Sequence, residues 1–202
     1  VSYPYFKNID PVFNLRFENL LKEQIKEHKE LSRENWKARF DTKFEGENIS
    51  EFPTEDEKFE FSSSFKIIQS NDHYISCILT YGGFVGGAHG FQDLVSFAFD
   101  VKNNKEIKLA DLFKDKPNYL EYVSKMSRES LIMNFTNNNE EIDKDSLVEY
   151  NKSILDMINK GTELQDDNFS VFTFTDKNIK IYFRQYQVGP YVIGMPEVTL
   201  DR

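Results

Sequence analysis

The stretch YGGFVGGAHGFQD, Tyr81 to Asp93, gathers five of the nine glycines and one of the three histidines of this chain, bracketed by a tyrosine and an aspartate. Glycine-rich loops hold phosphates when they open a helix. A dinucleotide fingerprint needs glycines at i, i+2 and i+5 after a strand. The glycines here stand at 82, 83, 86, 87 and 90, and no two are separated by two positions. A phosphate-binding P-loop needs Gly-Lys-Ser or Gly-Lys-Thr, whereas Gly87 is followed by Ala88-His89. A strand pattern comes next, so no helix N-terminus is offered to an anion. The stretch is not a phosphate cradle.

Metal chemistry fares no better. His28, His73 and His89 are widely spaced, with no i, i+4 pair and no HExxH arrangement, so no metal and no cofactor is expected. Asp72 or Asp93 would serve as a further ligand only if two of the histidines met in space. No Gly-x-Ser-x-Gly elbow is present, and a Cys77–His89 pair rests on arithmetic alone. Asp93 and Glu197 are nominal acid–base candidates, but a chain with 34 acidic residues offers many such pairs. No catalytic residue is therefore assigned. Glycines between two alternating strands instead let the backbone take positive φ and lie against a neighbour. Gly82, Gly83, Gly86, Gly87 and Gly90 read as loop-shaping, as do Gly189, Pro190 and Gly194 in QYQVGPYVIG. Tyr81, His89, Asp93, Tyr186 and Tyr191 are the candidate residues for contacting a ligand or partner. His89 either fixes its loop or faces that partner.

The chain has 202 residues, 39% of them hydrophobic and 29% charged, which reads as a soluble globular unit. Aromatics reach 15% of the residues, enough both to fill a core and to leave stacking or anchoring groups on the surface. A net charge of −9 without any basic stripe excludes nucleic acid as an expected partner. The same field would steer a basic protein inward. Cys77 is the single cysteine, so an internal disulfide is impossible. No apolar run approaches the ~18 residues of a membrane span. The start at Val1 rather than Met is expected to reflect a trimmed chain, with a signal or anchor upstream as its only link to a membrane.

The elements that position these residues follow from local pattern. After a short extended Tyr3–Phe6, Asp10-Pro11 supplies an N-cap and a first helical residue. Phe13, Phe17, Leu20, Leu21, Ile25 and Leu31 then recur at helical spacing, predicting an amphipathic helix of about seven turns at 3.6 residues each. His28 sits among Lys26, Glu27 and Lys29 and reads as solvated. Residues 46–57 are polar and read as a loop. Phe59, Phe61, Phe65 and Ile67 alternate with polar residues, as do Ile75, Cys77, Leu79 and Tyr81, then Val95, Phe97, Phe99 and Val101. Turns are expected at Ser70-Asn71-Asp72 and Asn103-Asn104. This is an antiparallel meander with one buried face, in which Cys77 takes a core slot. Helices are predicted over Pro117–Phe135 and Asp143–Asn159, the second closed by Gly161 as a C-cap. Strands return over Phe169–Thr175 and Ile179–Arg184, with a turn at Asp176-Lys177-Asn178 and a short last strand ending near Leu200. The fold class is α+β, an antiparallel sheet with the long N-terminal helix and two inserted helices packed against it. The expected organisation is a single compact unit, with residues 1–82 as an N-terminal segment and 83–202 as a C-terminal one.

A set of ordered motifs adds to this reading. Tyr3-Pro4 precedes the long helix, Gly86-Gly87-Ala88-His89 follows a strand, and DVKNNKEIKLADLF spans Asp100–Phe113. Ile181-Tyr182-Phe183, Tyr186-Gln187-Val188-Gly189-Pro190-Tyr191, Gly194 and Glu197-Val198 complete it. Over nearly the whole chain this resembles the extracellular domain of lysozyme-responsive bacterial anti-sigma factors of the RsiV type. A similar module precedes the catalytic domain of peptidoglycan deacetylases of the PdaC type and occurs in envelope lipoproteins. The resemblance implies an α+β envelope domain without catalytic residues, and in the anti-sigma branch direct binding of lysozyme through loops. Gly90 departs from the proline that commonly follows the histidine in this family. A sigma-binding segment and a deacetylase motif set are absent from these residues, so neither activity carries over.

Three functions remain open at this stage. The first is a non-enzymatic envelope module that binds a basic protein such as lysozyme, or a cell-wall glycan. The second is a hydrolase acting on envelope polysaccharide through a cleft lined by Tyr81, His89, Asp93, Tyr186 and Tyr191. The third is an oligomerisation domain using the aromatics of YQVGPYVIG.

Overall fold

The computed structural model describes residues 1–7, 9–113, 116–136 and 144–202. Helix α1 runs Pro11–Asp41, with Pro11 at its first position and Asp10 as N-cap, its side chain accepting from Val12 N–H at 2.9 Å. Phe13, Phe17 and Leu21 are buried as their spacing requires. Steps of four residues advance about 40° past a full turn at 100° per residue, so the stripe drifts around the helix. Its second half runs through His28 and Trp36, and Leu31 is left 48% exposed. The solvated reading of His28 is therefore wrong: the residue is only 6% exposed.

Strands β1 (Phe61–Ser70), β2 (Tyr74–Gly83), β3 (Phe91–Asp100) and β4 (Lys105–Glu106) form one sheet in that order. Strands β5 (Phe172–Phe174), β6 (Asn178–Tyr182) and β7 (Glu197–Asp201) form a second antiparallel sheet. The α+β class is realised, with two antiparallel sheets where alternation pointed to one. Helices α2 (Tyr119–Phe135) and α3 (Lys144–Gly161) pack on each other, and α2 also packs on β7. The predicted start of α3 at Asp143 lies outside the described residues.

The chain divides into two compact units. The first comprises residues 1–65 and 79–93, the second residues 66–78 and 94–202. In the first, Phe6, Phe13 and Phe17 form an aromatic cluster with ring centroids 5.5–6.2 Å apart. Asn14 ties the extended N-terminal segment to α1, accepting from Phe6 N–H at 2.9 Å and donating to Phe6 O at 2.8 Å.

In the second unit, Leu131 of α2, Ile154 and Ile158 of α3, and Phe174, Ile179 and Ile181 of the small sheet share one core. There β2 departs from the expected one-sided burial. Cys77 is fully buried as predicted, but Ser76 and Ile78 on the opposite face are buried too. The cause is the small sheet: Ile78 and Leu94 pack on Val171 and Tyr182. β5 turns its unpaired edge toward the long strands, where Ser96 Oγ accepts from Phe172 N–H and Ser76 Oγ from Phe174 N–H, each at 2.9 Å. The hydroxyls satisfy amides that an edge strand would otherwise leave open. β1, the outer strand, departs the other way, with Phe65 40% and Ile67 45% exposed.

Gly161 is not a left-handed C-cap either. It lies within α3 without positive φ, and the helix ends there for a different reason. A Cβ at 161 would stand 2.2 Å from Gln187 O, so the residue is glycine because another backbone passes over it.

Candidate functional site

In the first unit, the hairpin between β2 and β3 is fastened to α1 and to residues 59–60. Phe84 N–H donates to Glu60 O at 2.9 Å. The carbonyls of Phe84 and Val85 are each taken by a helix side chain: His28 Nε2–H donates to Phe84 O at 3.2 Å, and Asn35 Nδ2–H to Val85 O at 2.6 Å. A carbonyl only accepts, so this contact assigns the proton of His28 to Nε2. The imidazole also meets Phe61 edge-on at 5.4 Å and Phe91 at 6.2 Å. Gly83 is pressed into this joint, where a Cβ would meet Glu60 O at 2.2 Å and His28 Nε2 at 2.9 Å. Beyond it Gly86 and Gly87 take φ of 92° and 107°, and the hairpin tip turns there.

Of the candidates on this hairpin, His89 is exposed and its Nδ1–H donates to Gly90 O at 2.8 Å. Tyr81 is 7% exposed, stacks on Phe61 at 6.3 Å, and donates its hydroxyl to Asp93 Oδ2 at 3.2 Å. The structure brings Tyr81 and Asp93 together as a cross-strand tie. Tyr81 also lines a shallow cavity of about 270 Å³ with Ser62, Ser64 and Gln92.

The second unit holds the other two candidates. Tyr186 has φ of 65° and is 51% exposed, with its ring centroid 6.0 Å from that of Tyr191, itself 38% exposed. A non-glycine residue in this region costs of order 1 kcal/mol and persists only when its surroundings hold it. Gln187 does the holding. Its Oε1 accepts from Arg184 N–H at 2.9 Å, and its Nε2–H donates to Asn168 O at 2.9 Å and to Gly161 O at 3.1 Å. Val188 is buried at 1% exposure, Gly194 turns the chain at φ 71°, and Val192 stands 84% exposed. The result is a clamped loop that carries two tyrosines and a valine at its surface.

Sequence reasoning missed His28, Asn35 and Gln187, the side chains that hold the two loops. His28 alone left a signal, its place seven residues after Leu21 and eight before Trp36 on the buried stripe. Cys77 offers no nucleophile, because burial pushes its thiol up to about 12. Among the described residues no group of three or more His, Cys, Asp or Glu is placed to hold a metal ion. No helix among them is long and apolar enough to cross a membrane.

Residues 1–92 match the family described as "Deacetylase PdaC", and residues 110–202 match "Protein of unknown function (DUF3298)". A curated relative, the peptidoglycan-N-acetylmuramic acid deacetylase PdaC of Bacillus subtilis, is 22% identical over 204 aligned residues. The alignment takes in all of this chain but only 37% of that protein's length. Two crystal structures of DUF3298 proteins share the fold. One from Bacteroides fragilis superposes with a TM-score of 0.57 at 16% identity, over 92% of this chain and 64% of its own. One from Pseudomonas aeruginosa gives 0.50 at 16% identity, over 71% of this chain and 58% of its own.

Proposed function

We propose that this chain is a non-enzymatic, extracytoplasmic binding module of the bacterial cell envelope, which recognises a lysozyme-like protein or a cell-wall glycan. One observation carries the reading: Tyr186 is held at positive φ by the Gln187 clamp while its ring and that of Tyr191 stay at the surface. Strain maintained by partly buried hydrogen bonds, with aromatic side chains left exposed, is the mark of a preorganised contact surface. Tyrosine pairs suit both kinds of partner, since they anchor protein interfaces and stack on sugar faces. The likeness to a peptidoglycan deacetylase supports an association with the wall, through a part of that protein spanning 37% of its length. In a longer protein this module would hold a neighbouring domain at its substrate.

A basic partner of lysozyme type would gain on-rate from the chain's charge of −9, and that gain shrinks as salt rises. Titration calorimetry with lysozyme and with soluble peptidoglycan fragments tests the reading at low salt. Heat of binding from either supports it. Silence from both at millimolar ligand ends it.

A further inference from the structure

A groove runs along the second half of α1 in the first unit, walled on the other side by residues 51–59, with a volume of about 570 Å³. That lies in the range of ligand clefts. Its apolar surface comes from Trp36, Phe40, Phe52, Pro53 and Phe59, and Phe52 is 74% exposed. The charge here inverts that of the chain. Lys29, Arg33, Lys37 and Lys58 line the groove, against only Asp41 and Glu51. Lys58 is paired with Glu55 at 2.5 Å. Lys29, Arg33 and Lys37 take part in no ion pair among the described residues. They are four residues apart, so they rise along one helix edge in steps of about 6 Å.

The walls are fastened before any ligand arrives. Trp36 Nε1–H donates to Glu51 O at 3.1 Å, Arg39 approaches Glu57 at 3.7 Å, and Thr54 donates to Glu57 through its N–H and its hydroxyl. Ser32 Oγ, on the groove wall and shielded from solvent, has no hydrogen-bond partner among the described residues. Three exposed cations with no carboxylate partner among the described residues, in a chain with nine more acids than bases, offer an external anion a local positive row.

We propose that this groove binds a carboxylate-bearing glycan strand of peptidoglycan type, the cations taking the carboxylates while the aromatics cover the sugar faces. This rests on the envelope-binding reading above and names a surface and ligand chemistry for it. Carboxylates repeated along a polymer match a row of cations better than a single small anion does. The groove is bounded by a helix and an irregular segment, so an extended peptide finds no strand edge to pair with here.

Trp36 is the chain's single tryptophan and reports directly on the groove. The test is a fluorescence titration of the 202-residue chain with soluble, uncross-linked peptidoglycan strands at low salt. A saturable change in Trp36 emission is expected, with no response to neutral N-acetylglucosamine oligomers. The triple variant Lys29→Gln, Arg33→Gln, Lys37→Gln should bind at least about tenfold more weakly. All three side chains are exposed, so the fold should survive, and Phe52→Ser gives a second, uncharged probe expected to weaken binding. If the parent chain binds strands and both variants bind equally well, this site is wrong while the envelope-binding reading stands. Equal response to neutral oligomers also overturns it. So does displacement of the strands by poly-glutamate or by a polyphosphate at lower concentration, which would assign the groove to a peptide or a phosphate polymer. If the parent chain binds no strands, the proposal fails, and lysozyme calorimetry then decides the broader reading by itself.

Discussion

Ser76 Oγ accepts a hydrogen bond from the backbone N–H of Phe174 at 2.9 Å, across 98 residues of chain, and Ser76 is fully buried. The hydroxyl seals the outer edge of β5 and joins it to β2. Ser76→Ala would leave a buried amide without a partner, at a cost of about 1–3 kcal/mol. Ser96→Ala, where the equivalent bond is only partly buried, should cost less. Urea unfolding of both variants checks the order, and a loss below about 0.5 kcal/mol for Ser76→Ala would mean that water replaces the hydroxyl.

Glycine inside a helix is normally a weakness, and replacing it with alanine stabilises by about 0.5–1 kcal/mol. Gly161→Ala should do the reverse. The new Cβ meets a carbonyl oxygen, Gln187 O at 2.2 Å, and backbone does not move aside cheaply. The variant should unfold at lower denaturant, and because Gln187 clamps Tyr186, partner binding should weaken with it. An increase in stability would show that the crossing of α3 and the tyrosine loop is looser than described.

The hairpin depends on His28 in a way that separates packing from hydrogen bonding. His28→Phe keeps a ring against Phe61 and Phe91 but removes the donor to the partly buried Phe84 carbonyl, a cost of about 0.5–1.5 kcal/mol. His28→Ala loses the ring as well and should cost more, toward about 3–5 kcal/mol. Thermal unfolding of the pair gives the share of the ring packing as their difference, and a His28→Phe variant as stable as the parent would mean the imidazole bond contributes nothing.

Alkaline pH should destabilise the fold. Burial holds Cys77 at about 12 against 9.0 for an ordinary thiol, and burial plus the adjacent Asp166 carboxylate hold Tyr119 at about 12 against 10.0. Both folded values are raised, so the unfolded chain releases protons first and stability falls as pH rises between about 9 and 12. Cys77→Ala should flatten the lower part of that fall, and its cavity cost is judged at pH 7. In the native protein Cys77 should resist alkylation at pH 8 and react at once in denaturant.

Tyr186→Gly separates stability from recognition. Glycine relieves a left-handed strain of order 1 kcal/mol while losing the contact with Tyr191, so stability should change by less than about 1 kcal/mol. Binding of the partner should drop at least about tenfold. Unchanged affinity in calorimetry would remove the tyrosine pair from the recognition surface.

What could be read along the chain was whatever neighbours in sequence decide. Asp10-Pro11 starts α1 because a cap and a fixed φ act within one turn. Period-two alternation placed Cys77 in the core, and Asn103-Asn104 ended the third strand, with Asn104 at φ 49°. The α+β class followed from those local signals. His28, Ser76 and Gly161 were not legible because each is defined by a partner far along the chain: Phe84, Phe174 and Gln187, at separations of 56, 98 and 26 residues. A polar residue on a buried stripe looks solvated until the carbonyl that satisfies it is in place. A glycine chosen for its missing Cβ looks like one chosen for positive φ. The second buried face of β2 had no local mark at all, because burial there is conferred by a sheet whose strands begin almost a hundred residues later.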